Sequence, residues 1–359
     1  MNARLDRVRA AMEERSLAAM LVTAPANVRW LSGFGSPEDA RVLVTKHDAW
    51  LLTDARYTVQ AEEQSRIEAI IERDWMAEVA SRVRSGPLGV EAEHMTLATA
   101  AALAGRAGQE PVRTEGLLTR LRRVKDEAEL DAIRRAAALT DRAYEHALTR
   151  VVPGVREVEL ALAIETFVRT NGGEAMAFDV IVASGTRGAM PHGLASDKPI
   201  RDGELVTIDL GAKVDGYCAD MTRTFGVGAV PDAHRALFEA VLEAQNAAVA
   251  AVRPGATGKE LDAVARDLLA RHGLADAFAH SLGHGVGLDV HEAPRLSSAS
   301  DDVMAPGMVV TVEPGVYRAG EAGVRIEDLL IVTDEGHAVL SHAPKEWRTV
   351  DASDAPTDA

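Results

Sequence analysis

The chain has 359 residues and a formal net charge of -16, with 39 lysines and arginines against 55 aspartates and glutamates. Single hydrophobic cores stop growing at about 250–300 residues, so this length predicts two domains. The apolar fraction of 47% is typical of a folded globular chain and excludes a disordered one. The acidic charge argues against nucleic acid or a membrane surface as a partner.

Targeting and redox signals in the sequence are few. The single cysteine, Cys218, excludes an intrachain disulfide and a zinc site built from cysteines. This cysteine usage fits a reducing cytoplasm, which is the location that we expect. No stretch approaches 18 uninterrupted apolar residues, and the charged first 15 residues predict an amphipathic helix rather than a signal peptide.

Short strands alternate with helices over the first third of the chain. Leu5, Val8 and Met12 lie at helical spacing and predict the first helix. Strands are predicted at 18–22 (ended by Pro25), 42–45, 49–53, 67–71 and 89–91, and helices from Asp54, over 74–84 and over 96–107. This alternation predicts an α/β layer domain.

The character of the sequence changes near residue 122, where a basic stretch leads into a long helical pattern. We place the domain boundary there, giving domains 1–122 and 123–350 and a polar, disordered tail at 351–359. Further helices are predicted over 157–170, 231–251 and 258–272, with strands after Gly173 and again from Val309. A helix pair followed by strands thus occurs twice, which suggests a duplicated α/β half.

Two strand-like runs carry an aspartate on the face opposite their apolar residues. In Leu205–Leu210, alternation places Asp209 on the polar face of a strand. In the later run CADMTRT, Asp220 shares a face with Thr222. A glycine-containing turn separates the runs, so we expect a hairpin in which Asp209 and Asp220 converge.

The same pattern recurs downstream and adds two glutamates. Glu313 in VVTVEPG and Glu327 in GVRIEDLLIV alternate with apolar residues, and Arg325 shares the face of Glu327. His284 lies in the loop-like run SLGHGVGL, whose glycines permit close backbone approach. An unpaired buried carboxylate costs on the order of a few kcal/mol, so these side chains need partners.

Each of these residues also has an ordinary structural explanation. A strand aspartate often makes a local hydrogen bond, Glu327 can pair with Arg325, and His284 can be a loop histidine. Taken together, four carboxylates and one imidazole suit Mn²⁺, Co²⁺ or Zn²⁺. Because four carboxylates exceed what one divalent ion neutralises, we expect two ions about 3.5–4 Å apart.

The order and context of these residues resemble the peptidase family of prolidases, Xaa-Pro aminopeptidases and methionine aminopeptidases. The resemblance lies in IDLGAKVDGYCADMTRTF, SLGHGVGLDVHEAP, VVTVEPGVY and GVRIEDLLIV. It implies a mixed α/β (α+β) protein with a creatinase-like N-terminal domain and a C-terminal pita-bread catalytic domain. It also implies two metal ions, bridged by Asp220 and Glu327, with the full ligand set Asp209, Asp220, His284, Glu313 and Glu327.

The resemblance implies roles for further residues. His192 in MPHG would hold the substrate near its proline, and His291 in DVHE would hydrogen-bond the scissile carbonyl. Glu313 would pass a proton from the attacking water to the proline nitrogen. Arg325 would fix a carboxylate ligand or bind substrate, although a structural ion pair explains it equally well. These roles predict metal-dependent hydrolysis of Xaa-Pro bonds.

Other interpretations within this superfamily fit the sequence less well. Methionine aminopeptidases usually lack a large N-terminal domain such as residues 1–120. Creatinase shares the fold but lacks the metal carboxylates. Pita-bread proteins that have become binding modules typically lose ligands, whereas this chain retains all five. No G-x-G-x-x-G, P-loop or G-x-S-x-G pattern supports a nucleotide site or a serine nucleophile.

Substrate length and assembly are less strongly specified. The sequence favours a dipeptidase slightly over an aminopeptidase acting on longer peptides. A dipeptidase must bind the free carboxylate of proline, and Arg41 is the arginine that we expect to bind it. Relatives with this layout are commonly dimers, so we expect a homodimer. The exposed-looking aromatic residues Trp30, Phe34 and Tyr57 are candidates for its interface, although packing in the core is the commoner role of such residues.

Overall fold

The structure is a computed structural model that describes residues 3–83 and 85–350. The tail predicted at 351–359 lies outside the described residues. The chain divides into two units, Met1–Arg122 and Arg123–Ala359. Each unit combines helices with sheets, which confirms the predicted mixed α/β class.

A six-stranded mixed sheet forms the centre of the N-terminal unit. Its strands are β1 (Ala19–Val22), β2 (Arg41–Thr45), β3 (Ala49–Thr53), β4 (Glu68–Ile71), β5 (Leu88–Glu91) and β6 (Val112–Thr114). The spatial order is β4-β3-β2-β1-β5-β6, and only the pairings made by β2 are antiparallel. The helices are α1 (Ala3–Glu14), α2 (Pro25–Ser32), α3 (Thr58–Gln64), α4 (Trp75–Arg82), α5 (Leu97–Ala107) and α6 (Leu117–Arg122).

The N-terminal unit contains β6 and α6, which the sequence analysis did not predict, and it differs from the prediction at Pro25, at Asp54 and at two aromatic residues. Pro25 begins α2 rather than only ending the strand before it, because proline is tolerated in the first helical turn. Asp54 caps a short 3₁₀ turn, and α3 begins only at Thr58. The prediction of exposed aromatics was wrong for Trp30 and Phe34, which are fully buried in the core.

Four helices and fourteen strands make up the described part of the C-terminal unit. The helices are α7 (Glu127–Leu148), α8 (Glu157–Thr170), α9 (Asp232–Ala251) and α10 (Gly258–Arg271). The strands up to α9 are β7 (Ala175–Met176), β8 (Ile181–Ser184), β9 (Leu205–Leu210), β10 (Ala212–Val214), β11 (Tyr217–Cys218) and β12 (Met221–Val227). Those after α10 are β13 (Gly283–Gly285), β14 (Glu292–Leu296), β15 (Val309–Val312), β16 (Gly315–Arg318), β17 (Ala322–Arg325), β18 (Asp328–Val332), β19 (His337–Val339) and β20 (Thr349–Val350).

The strands of the C-terminal unit form four sheets, in the orders β11-β10-β7, β20-β12-β9-β8, β14-β13-β15-β18-β19 and β16-β17. A helix pair precedes strands twice, at α7–α8 and at α9–α10, as the sequence suggested. The sequence placed the return to strands near Val309, whereas β13 and β14 come earlier. Among the described residues, no helix has the length and apolar character needed to cross a bilayer.

Candidate active site

Asp209 and Asp220 converge because their strands are neighbours. Strand β9 pairs antiparallel with β12, and this register sets Asp209 opposite Thr222. Asp220 is the residue before β12 begins. The connection between the two strands, which the sequence predicted as a glycine-containing turn, carries the short strands β10 and β11. Both aspartates are buried.

His284 lies in the short strand β13, rather than in the loop that the sequence predicted. This strand fits between β14 and β15 because glycines flank the histidine. A Cβ on Gly283 would stand 2.1 Å from the carbonyl oxygen of Thr311, and one on Gly285 would stand 2.3 Å from that of Ala293. Any larger residue would push the strands apart and displace His284.

Glu313 and Glu327 lie where strands end rather than within them. Glu313 directly follows β15, and its backbone N–H donates to the carbonyl of Leu282 at 2.8 Å. Glu327 lies between β17 and β18, and its N–H donates to the carbonyl of Thr222 at 3.0 Å. Backbone hydrogen bonds to neighbouring segments therefore fix the starting point of each carboxylate side chain.

The five side chains meet in overlapping groups of metal-binding atoms. Within each group, one ligand atom per residue lies within 4.8 Å of the others. The groups are Asp220–His284–His291, His284–Glu313–Glu327 and Asp209–Asp220–Glu327. Asp220, His284 and Glu327 each belong to two of these groups, which makes them the links between neighbouring positions.

The carboxylates of this cluster are electrostatically unsatisfied. Burial, reinforced by repulsion from Glu327, raises the pKa of Asp220 well above its ordinary value. Burial and the charges of Glu313 and Asp209 raise the pKa of Glu327 in the same way. Among the described residues, Asp209 Oδ1 and Glu327 Oε1 are buried without a hydrogen-bond partner. Divalent cations supply the positive charge that such oxygens lack, so the donor set fits a metal site.

His284 is oriented to offer one ring nitrogen to this site. Its Nδ1 lies 3.1 Å from the carbonyl oxygen of Gly285, which fixes the proton on that nitrogen. Its Nε2 lies 3.1 Å from Glu313 Oε1 and 3.7 Å from Asp220 Oδ2. Burial alone would raise the pKa of Glu313, but the hydrogen bond and charge of His284, together with the charges of His280 and Arg325, outweigh it and lower the pKa to about 2.

Arg325 connects the metal-binding cluster to the wall of the cavity. Its Nη2 donates to Asp209 Oδ2 at 2.7 Å, and its Nε donates to Thr222 Oγ1 at 3.0 Å. Its Nη1 donates to the Tyr317 hydroxyl at 2.8 Å and to the carbonyl of Pro191 at 3.1 Å. The guanidinium therefore holds Asp209 in place and fixes the backbone beside His192.

A cavity of about 500 Å³ opens over the cluster. The metal-ligand and catalytic residues named from the sequence all line it: His192, Asp209, Asp220, His284, His291, Glu313, Arg325 and Glu327. His192 and His291 are exposed to the cavity, and the ring of His291 lies edge-on to His284 with 4.3 Å between centroids. Burial, followed by repulsion from His284, lowers the pKa of His291.

Three residues that the sequence analysis gave no role complete the polar network. Thr222 Oγ1 donates to Glu327 Oε2 at 2.7 Å while it accepts from Arg325. His280 Nε2 lies 3.0 Å from the Tyr317 hydroxyl, and both residues line the cavity. Parity was a usable signal for Thr222, which shares the polar face of Asp220. No comparable pattern marks His280, which precedes β13.

Comparison with known proteins matches this chain to peptidases. Residues 131–334 match Metallopeptidase family M24, and residues 4–124 match the Creatinase/Prolidase N-terminal domain. The Xaa-Pro dipeptidase of Pyrococcus furiosus is 37% identical over 349 residues, or 96% of this chain and 99% of that one.

Solved structures agree with the sequence comparison. An Xaa-Pro dipeptidase from Bacillus anthracis has a TM-score of 0.93 at 40% identity, covering 97% of this chain and 99% of that one. An X-Pro aminopeptidase from Thermotoga maritima has a TM-score of 0.87 at 34% identity, covering 94% and 99%. The family match spans more than half of the chain and contains the whole carboxylate–histidine cluster, so this chain belongs to metallopeptidase family M24.

Proposed function

We propose that this chain hydrolyses Xaa-Pro peptide bonds and acts on dipeptides. The observation that carries the proposal is the cluster itself: three buried carboxylates, the half-buried Glu313 and His284 line one cavity, and two carboxylate oxygens lack a partner among the described residues. The relatives from Bacillus anthracis and Pyrococcus furiosus, which match nearly the whole chain, are Xaa-Pro dipeptidases.

The proposed metal centre holds two divalent ions, Mn²⁺, Co²⁺ or Zn²⁺. Its ligands are Asp209, Asp220, His284, Glu313 and Glu327. Asp220 and Glu327 are the carboxylates assigned to bridge the ions, which is consistent with the membership of each in two groups of metal-binding atoms. When bound, such ions activate water near neutral pH and polarise a carbonyl.

The remaining steps belong to side chains of the chain itself. The ionised Glu313 accepts a proton at its carboxylate and delivers it to the proline nitrogen, which must be protonated to leave. His291, kept neutral by burial, donates a hydrogen bond to the oxyanion that develops on the scissile carbonyl. His192 contacts the proline side of the substrate. Arg325 acts through Asp209 rather than on the substrate.

The free carboxylate of a dipeptide needs a cation in the cavity. Arg41, which the sequence favoured, has its guanidinium 5.2 Å from the centre of the Trp75 ring. Arg295 lines the cavity directly, and its guanidinium makes no hydrogen bond or ion pair with a described residue. We therefore assign carboxylate binding to Arg295, because a free guanidinium suits bidentate capture of a carboxylate.

The experiment compares Ala-Pro with Ala-Pro-Ala, using wild type and Arg295→Gln loaded with metal. We expect wild type to prefer Ala-Pro, and Arg295→Gln to raise the KM for Ala-Pro about tenfold while affecting Ala-Pro-Ala little. Arg271→Gln changes an exposed arginine that does not line the cavity, so it serves as the control. An unchanged KM for Ala-Pro in Arg295→Gln would reject this assignment.

The second candidate is an Xaa-Pro aminopeptidase that acts on longer peptides. The relative from Thermotoga maritima favours it, since that protein has the same fold at 34% identity. An open path beyond the proline is the requirement that separates this activity from a dipeptidase. Efficient cleavage of Ala-Pro-Ala and longer peptides by wild type would replace the dipeptidase proposal with this one.

A cytoplasmic location and a homodimer complete the proposal. The location is supported by the single, buried Cys218, which is typical of chains from a reducing compartment. The dimer is supported by the resemblance to relatives that are commonly dimeric, and no longer by exposed Trp30 and Phe34.

A further inference from the structure

The segment from 176 to 181 is longer than the segment from 209 to 212, with which it pairs at both ends. Met176 pairs with Ala212, and Ile181 pairs with Asp209. Five residue steps therefore run beside three, and over this stretch the chain passes from the sheet of β7 into the sheet of β8. The cavity-lining residues of this segment are Phe178, Asp179 and Ile181.

Asp179 brings an uncommitted negative charge to the cavity. Its carboxylate is exposed and makes no hydrogen bond or ion pair within residues 3–83 and 85–350. The carboxylates of the metal-binding cluster differ, because they are buried or half-buried and lie within groups of metal-binding atoms. The carboxylate of Asp179 is therefore available to form an ion pair with a cation that enters the cavity.

The positions of Asp179 and Arg295 on the cavity wall indicate which way a bound dipeptide lies. Asp179 lies two residues before Ile181, the partner of Asp209, whereas Arg295 pairs with His284. Asp209 and His284 belong to different groups of metal-binding atoms, so Asp179 and Arg295 are placed beside different groups. A dipeptide whose carboxylate binds Arg295 points its amino-terminal residue towards Asp179.

The amino-terminal residue has two places for positive charge. Its α-ammonium is two bonds from the scissile carbonyl carbon, so it stays beside the buried carboxylates. Only a long side chain extends from there to an exposed group on the cavity wall. We propose that Asp179 selects substrates in which this residue is Lys or Arg; the inference rests on the proposed function.

The experiment measures kcat/KM for Lys-Pro and norleucine-Pro, two dipeptides of similar length that differ in side-chain charge. We expect the metal-loaded wild type to prefer Lys-Pro by about fivefold, the size of a partly exposed ion pair. In Asp179→Asn the ratio should fall to about one. Asp301→Asn alters an exposed aspartate of the same unit that does not line the cavity, and it should keep the wild-type ratio.

A wild-type ratio of one at low salt would overturn the inference. So would an equal loss of both activities in Asp179→Asn, which would indicate a role in backbone structure or in binding the α-ammonium. If Asp179→Asn does not fold, the wild-type ratio still decides, because screening by salt should move it towards one. A salt-independent ratio contradicts the inference. If neither dipeptide is cleaved, the proposed function is overturned, and this inference with it.

Discussion

Asp220 and Glu327 carry most of the electrostatic cost of the candidate site. Burial and repulsion from neighbouring carboxylates raise the pKa of both, and among the described residues no arginine or lysine forms an ion pair with either. Asp209 differs because Arg325 offsets part of the penalty. An active site built in this way gives up stability in the metal-free protein, and bound cations restore it.

Asp220→Asn tests the role of this charge. The substitution preserves shape but removes a ligand, so we expect loss of at least one bound ion and at least about a 100-fold fall in Ala-Pro hydrolysis. Changes in partners of ligands alone cost about 10–100-fold. Elemental analysis and an Ala-Pro assay measure the two losses. Full metal content in an active Asp220→Asn protein would remove the two-ion assignment.

Asp220→Asn should be more stable than wild type without metal and less stable than wild type with metal. In the presence of chelator, Asp220→Asn should unfold at a higher temperature than wild type, because one repelling charge has gone. With metal added, wild type should be the more stable. Asp301→Asn, which changes an exposed carboxylate outside the cavity, should follow wild type in both conditions.

The sequence was informative about ligands and uninformative about their neighbours. Asp209 and Asp220 could be predicted because alternation in a buried strand makes a polar residue conspicuous. Arg295 and Asp179 could not, since both are exposed charged residues of a common type. Their position on the cavity depends on the pairing of β14 with β13 and on the segment that joins β7 to β8.

At the scale of elements, a buried ion pair fixes the strand that follows His291. Lys125 Nζ lies 2.6 Å from Glu292 Oε1, with side chains that are 1% and 3% exposed. Lys125 precedes α7, whereas Glu292 begins β14. The pair therefore joins the start of the C-terminal unit to the strand beside the candidate site.

Replacing one partner of this ion pair should lower the free energy of unfolding more than replacing both partners. Lys125→Met leaves a buried carboxylate and should lower the free energy of unfolding by about 3–5 kcal/mol. Lys125→Met combined with Glu292→Gln should recover most of that loss. Urea unfolding of the metal-free protein measures both. Lys259→Met changes an exposed lysine, so its free energy of unfolding should stay within about 0.5 kcal/mol of wild type. A loss that small in Lys125→Met would contradict this prediction.

Elements with strong local signals could be predicted, and those that depend on distant partners could not. Helices α7 and α10 each begin with a capping box, Asp126–Glu129 and Thr257–Glu260, next to a long apolar stripe. Strand β13 has three residues, two of them glycine. Only its neighbours β14 and β15 make it a strand, so no local pattern distinguishes it from a loop.

At the scale of the whole molecule, the mixed α/β class and the repeated helix–strand order followed from the sequence. The oligomeric state did not follow from these sequence patterns. A monomer has a mass of 38.2 kDa. We expect light scattering at micromolar concentration to give twice that mass. A monomeric mass throughout the concentration range would contradict the proposed homodimer.

The central claim is that this chain is a two-metal Xaa-Pro dipeptidase. The most direct measurement strips the protein with chelator, returns Mn²⁺ in steps, and follows Ala-Pro hydrolysis together with the number of ions bound per chain. We predict no activity without metal and a maximum at two bound ions. Full hydrolysis by the stripped protein, or a maximum at one ion with no second ion bound, would contradict the claim.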